Sequence, residues 1–166
     1  MRRLAAAVHH QEVTTERFIK RSRIAAPAEA VFRWHTLPGA FAKLSPPWEP
    51  VELIEQTGGI RDGARVVFRI GVGPFRIRWV AEHHGYIENR QFQDVQVEGP
   101  FAKWEHTHLF EPDGPHACYL EDRVEYALPF GVLGRLIGGE MTRRKLERLF
   151  DYRHRVTAEG IARESE

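Results

Sequence analysis

The chain has 166 residues, the usual size of one domain, with 42% apolar and 28% charged residues. That balance excludes a disordered polypeptide and allows a core without disulfides or metals. The formal net charge of +1 sets up no global field, so no nucleic-acid partner is expected. One cysteine, Cys118, excludes an internal disulfide scaffold, favours a reducing compartment and reads as a small strand residue.

Residues 1–14 read as a loose tail ahead of a single domain over residues 15–160. The apolar run from Leu4 to Val8 is too short for a signal segment, and nothing approaches the roughly 20 apolar residues of a membrane span. A cytoplasmic protein without stable membrane insertion is expected.

Thr15 to Ile24 carries Phe18, Ile19 and Ile24 among basic residues and predicts a first, edge strand. Ala26-Pro27-Ala28-Glu29 then opens a helix, with proline in its first turn and an acid at its positive end. Val31, Phe32, Trp34 and His35 continue it, Thr36 to Gly39 breaks it, and Ala40 to Leu44 forms a second short helix. Pro46-Pro47-Trp48-Glu49-Pro50 stops any further helix.

From Val51 the pattern changes to strands, placed near 51–57, 64–72, 75–87, 90–98, 102–112 and 117–128. Gly58-Gly59, Asp62-Gly63, Gly73-Pro74, Glu88-Asn89, Gly99-Pro100 and Pro112-Asp113-Gly114-Pro115 are turn sequences between them. Consecutive strands with short turns predict an antiparallel meander. After Pro129-Phe130-Gly131, the residues Leu133, Leu136, Ile137, Met141, Leu146, Leu149, Phe150 and Val156 recur at helical spacing, with Gly138-Gly139 expected to kink or split the helix. The predicted fold class is α+β: a curved antiparallel seven-stranded sheet in the order β-α-α-β6-α, wrapped around a long C-terminal helix. That helix cannot fill both ends of the trough, which predicts an internal cavity for a small ligand.

The segments Ile24-Ala25-Ala26-Pro27-Ala28-Glu29-Ala30-Val31-Phe32, Trp34-His35, Pro38-Gly39-Ala40-Phe41 and Leu44-Ser45-Pro46-Pro47-Trp48-Glu49, with Asp94-Val95-Gln96, Gly99-Pro100-Phe101 and Trp104 to His108, make the chain resemble the START-like, or SRPBCC, superfamily of helix-grip proteins. The resemblance covers residues 15 to 156. That superfamily includes lipid-transfer domains, polyketide cyclases and coenzyme Q-binding proteins. Within it, the chain looks like a bacterial subgroup that is free-standing or fused before a nucleotide-sugar epimerase-like domain, with no firm reaction to carry over. No glycine-rich dinucleotide fingerprint is present.

Strand alternation groups Phe75, Ile77, Trp79, Ala81 and His83 on one face; Ala102, Trp104, His106, His108 and Phe110 on another; and Leu120, Asp122, Val124, Tyr126 and Leu128 on a third. The 90–98 strand is ambiguous, because both Phe92-Asp94-Gln96-Glu98 and Gln91-Gln93-Val95-Val97 mix apolar and polar members. If Phe92 points inward, the cavity gathers Asp94, Gln96, His106, His108 and Asp122 among aromatic rings. Such a set is a satisfied polar core network, a recognition set for the polar head of a ligand, or an acid/base pair in which His106 or His108 works with Asp94 or Asp122. No catalytic residue is firm; these four are the candidates.

The ligand-lining set is Trp34, Phe41, Trp48, Phe68, Trp79, His83, Phe92, Trp104, His106, His108, Phe110, Tyr126 and Met141, with Trp48, stiffened by its prolines, as a gate. His83 and His84 are expected to point to opposite faces. His106-x-His108 invites a metal reading, but two histidines are too few, and the sequence does not bring His83 or Asp94 to them; no metal or cofactor is expected. The leading function is binding or carrying a lipid-, polyketide- or quinone-like molecule. The alternative is a cyclase- or dehydratase-type enzyme that moves a proton next to a carbonyl. A third reading uses the arginine-rich helix face or a sheet edge for a partner protein or a homodimer.

Overall fold

A computed structural model describes residues 14–164; apart from Thr14, the expected N-terminal tail lies outside the described residues. The elements run β1 (Glu16–Ile24), α1 (Ala28–Thr36), α2 (Ala40–Lys43), β2 (Glu52–Thr57), β3 (Arg65–Val72), β4 (Phe75–Ile87), β5 (Gln91–Glu98), β6 (Lys103–Pro112), β7 (Cys118–Ala127) and α3 (Gly131–Glu164). The seven strands form one antiparallel sheet in the order β1-β7-β6-β5-β4-β3-β2. Six of them meander, and β1 returns as an edge beside β7. Register shifts between Leu53 and Glu55, Val80 and Ala81, and His84 and Ile87 raise the local twist and bend the sheet into a trough.

The turns follow their residues. Gly73, before Pro74, takes φ +58°, and Asn89 takes φ +59°, a conformation asparagine tolerates better than most side chains. Pro27 sits at the N-cap of α1 rather than inside its first turn, with Glu29 in that turn. Gly39, at φ +81°, separates α1 from α2.

Helix α3 runs unbroken through Gly138 and Gly139, so the expected kink or split does not form. Gly139 is buried beside the start of β1, where a Cβ would make an ordinary contact of 3.6 Å with Glu16 Oε1. Its buried stripe is Leu146, Phe150, His154, Thr157 and Ile161, spaced three and four residues apart. The first half of α3 is different: Leu133, Leu136, Ile137 and Met141 are exposed. The expected inward stripe is therefore confined to the second half of the helix.

Two apolar clusters fill the concave side. Val31, Phe32 and Trp34 of α1 pack with Phe92, Phe110, Leu120 and Ile161. Phe18, Trp79, Trp104, Val124 and Tyr126 pack with Leu146 and Phe150. The centre of the trough is thus occupied by side chains where the sequence predicts a hollow. On the concave side of the sheet, accessible apolar surface lies over β3 and β4, where Phe68, Ile70 and Ile77 are half-buried and Phe75 is exposed. Two concavities lie away from the centre: one of about 440 Å³ beside Arg33, Ile60 and Tyr86, another of about 480 Å³ beside Trp48 and Arg148.

Candidate functional site

Register assembles a charged cluster between the two apolar ones. Asp94 of β5 pairs with His106 of β6, Phe92 with His108, and His108 with Asp122 of β7. Side chains directly across an antiparallel pair share a face, so Phe92, Asp94, His106, His108 and Asp122 all project into the concave side. That resolves the ambiguity of the 90–98 strand in favour of the Phe92 face. His83 pairs with Asp94 and is buried, while His84 is exposed.

His106, 1% exposed, bridges two carboxylates: Nδ1 lies 2.9 Å from Asp94 Oδ2 and Nε2 lies 2.9 Å from Asp122 Oδ1. Each nitrogen faces an acceptor, so both carry hydrogen and the ring is an imidazolium. Burial opposes that charge most strongly, but Asp94 and Asp122 together outweigh it and raise the pKa to about 9. The same contacts reverse the effect of burial on the acids, and both carboxyls sit well below the usual carboxylate range.

His108 Nε2 lies 3.3 Å from Asp94 Oδ2. Its Nδ1 is 2.8 Å from Asp122 Oδ1 but is not aligned for a hydrogen bond. The His108 ring stacks on Phe92 at 4.1 Å, and His106 meets Phe150 edge-on at 5.0 Å. The two rings are therefore held by the two apolar clusters as well as by the acids.

His154 closes the cluster from α3, with Nε2 2.7 Å from Asp122 Oδ2. The sequence reading missed it. The signal was available: His154 stands four residues after Phe150 and seven before Ile161, on the buried stripe of the helix. His35 is also buried; its Nδ1 lies 2.8 Å from the Val31 carbonyl, and burial pushes its pKa down to about 4. Burial also lowers the pKa of His83.

The cluster opens in one direction. The Asp94 side chain is 20% exposed, whereas Asp122 is 4% exposed. Trp104 Nε1–H donates to Asp94 Oδ1 at 3.4 Å. The Trp104 ring contacts Trp79 at 5.2 Å and Phe101 at 4.9 Å, and Trp79 stacks on Phe68, which meets Phe41 of α2. Phe41, Phe68, Phe101, Trp79 and Trp104 thus form one aromatic wall that ends at Asp94. The buried Nε1–H of Trp79 has no acceptor among the described residues.

Other members of the expected lining set lie elsewhere. Trp34 is core: a Cβ added at Gly160 of α3 would stand 2.6 Å from its Nε1. Phe110 is buried against Phe32 at 5.2 Å. Tyr126 closes the β1 side, its hydroxyl donating to Glu16 at 3.1 Å. Met141 is 60% exposed, like Leu133, Leu136 and Ile137 of the same half of α3. Trp48 is 41% exposed and rests on the flank of α3, beside Tyr152 and under Arg148.

The family model described as polyketide cyclase / dehydrase and lipid transport matches residues 24–150. Comparison with curated proteins finds no match. Among solved structures, the chain is similar to a Thermus thermophilus protein at 19% identity and TM-score 0.70, covering 91% of this chain and 100% of that one. It is also similar to the Zhui aromatase/cyclase of a Streptomyces species at 16% identity and TM-score 0.62, covering 91% and 93%. A nucleoside-diphosphate sugar epimerase from Corynebacterium glutamicum matches at 27% identity and TM-score 0.65 over 86% of this chain, which spans only 28% of that one.

Proposed function

Because the chain belongs to the polyketide cyclase/dehydrase and lipid-transport family of START-like proteins, we propose that it binds an amphipathic small molecule along the concave face, apolar body on the aromatic wall and polar head at Asp94. The observation that carries this reading is the junction at Trp104. Its ring belongs to the wall and its N–H reaches the one accessible carboxylate of the cluster. A site that is mostly apolar with a few convergent polar groups suits such a ligand. Lipid-like, polyketide-like and quinone-like molecules share this chemistry. The orphan Trp79 N–H supplies a second polar contact for a carbonyl or hydroxyl oxygen on the ligand.

Native mass spectrometry of the protein purified from cells, with solvent extraction of what it carries, tests this reading. An adduct whose extract is an amphipathic molecule supports it. A bare mass, with no thermal stabilisation by fatty acids, quinones or aromatic polyketides, overturns it.

A second reading rests on one further contact. His108 Nε2 and Asp94 Oδ2, 3.3 Å apart, stand at the accessible end of the cluster, where a proton could pass to or from a carbon next to a ligand carbonyl, as in a cyclase or dehydratase. His106, already protonated on both nitrogens, would hold the charge balance rather than act as the base. Turnover abolished by Asp94→Asn with ligand binding retained would favour the enzyme over the carrier.

A further inference from the structure

The sequence supplies two histidines on one strand face and no third ligand beside them. The register supplies one. Asp94 Oδ2 lies 2.9 Å from His106 Nδ1 and 3.3 Å from His108 Nε2. One donor atom from each of the three residues falls within 4.8 Å of the others. Donors bound at about 2.1 Å to one ion, at angles between octahedral and tetrahedral, are spaced about 3.0–3.4 Å apart.

The opposite side of each ring is also provided for. His106 Nε2 and His108 Nδ1 both lie within 3 Å of Asp122 Oδ1, and His154 holds the other oxygen of Asp122. A carboxylate behind ligating histidines, itself fixed by another group, is the arrangement that orients imidazoles toward a metal. The rings are further fixed by Phe92 and Phe150. We propose that Asp94, His106 and His108 form a two-histidine, one-carboxylate site for a divalent first-row transition metal ion, with Asp122 as its positioning residue.

Two imidazoles and one carboxylate suit such ions and leave further coordination positions free. Asp94 is the most accessible of the three, its side chain 20% exposed against 2% for His106 and 10% for His108, so those positions lie on the Asp94 side of the cluster. Binding displaces a hydrogen from each ligating nitrogen: that on His106 Nδ1 leaves as a hydrogen ion, and that on His108 Nε2 moves to Nδ1, which faces Asp122 Oδ1 at 2.8 Å; no electron is transferred. The site rests on the reading above only for what would occupy the free positions.

The test uses the full chain, stripped of metal with chelator and titrated with Zn²⁺ or Co²⁺ alone. The expected result is one ion per chain by calorimetry. With Co²⁺, the ring resonances of His106 and His108 should shift strongly while that of exposed His116 does not. His108→Gln should weaken binding at least 100-fold, and Asp122→Asn by about 10- to 100-fold. Absence of Co²⁺-shifted His106 and His108 resonances in the unmodified protein overturns the site without relying on any variant. So does binding that survives His108→Gln but is lost when His9 and His10 are replaced by alanine. A protein that carries an amphipathic ligand but takes up no ion loses the metal site while the binding reading stands. One that takes up the ion but no amphipath does the reverse.

Discussion

His154 Nε2 on α3 lies 2.7 Å from Asp122 Oδ2 on β7, and both side chains are 4% exposed. A second charged contact between helix and sheet, Lys20 to Asp151, is at the surface. The two should differ sharply in weight. Removing one partner of a buried charged network leaves the others unpaired, at a cost of about 3–5 kcal/mol. Asp122→Ala strips His106 and His154 of an acceptor together, so a loss in that range is expected from urea denaturation. Lys20→Met should cost under about 1 kcal/mol, because exposed pairs contribute little. An Asp122→Ala protein within about 1 kcal/mol of the parent would mean that the cluster does not tether α3.

Stability should pass through a maximum near pH 6.5, with buried histidines acting in opposite senses on either side. His35 titrates near 4 when folded and near 6.5 when unfolded. Between those values the unfolded chain holds the extra proton, so stability falls as pH drops below 6.5; His83, also lowered, adds to this limb. His106 titrates near 9 when folded. Its contribution is full below 6.5 and is lost as pH rises toward 9, because there the folded state holds the extra proton. Each proton gives a slope of at most about 1.4 kcal/mol per pH unit. Asp94 and Asp122, held low in the folded state, steepen the loss only below their ordinary range near 4. Urea midpoints measured from pH 4 to pH 9 would show this, and His35→Phe should flatten the acid limb. Stability that climbs steadily from pH 6.5 to pH 9 would be incompatible with an imidazolium at His106.

Gly160 should resist alanine. In an exposed helix the change gains about 1 kcal/mol of helix propensity. Here a Cβ would stand 2.6 Å from Trp34 Nε1 and 2.8 Å from two carbons of the same ring. Trp34 is 1% exposed and packed on all sides, so it has no free direction in which to retreat. Overpacking of this kind costs about 1–3 kcal/mol, and Gly160→Ala is expected to lower the melting temperature. A rise would show that α1 and α3 separate easily.

Much of this was readable from the chain. The turn pairs Gly73-Pro74 and Glu88-Asn89 punctuate strands whose alternation is clear, so the strands fall within a residue or two of where the sequence puts them. Three features were not readable. The face of β5 depends on Asp94 lying opposite His106, a register set between strands; Gln91-Gln93-Val95-Val97 alternates almost as well as its opposite set. The exposure of Leu133, Leu136, Ile137 and Met141 depends on where α3 leaves the sheet, and helical periodicity is silent on that. His154 sat in plain view on an apolar stripe, but its partner is on another element. Local pattern gives elements and faces, whereas the site is made by pairing across the sheet.

Trp79 separates a binding site from a packing accident. Its indole N–H is buried and has no acceptor among the described residues, an arrangement that costs the empty protein stability. Trp79→Phe removes the orphan donor and keeps most of the ring against Phe68 and Trp104. If the N–H serves a ligand, the substitution should leave the unliganded protein at least nearly as stable as the parent, yet weaken ligand binding by about 1 kcal/mol, roughly fivefold. Both quantities come from one set of thermal melts with and without the extracted ligand. Equal affinity for the two proteins would remove Trp79 from the site, and a large loss of stability without ligand would show that the indole N–H is satisfied within the fold.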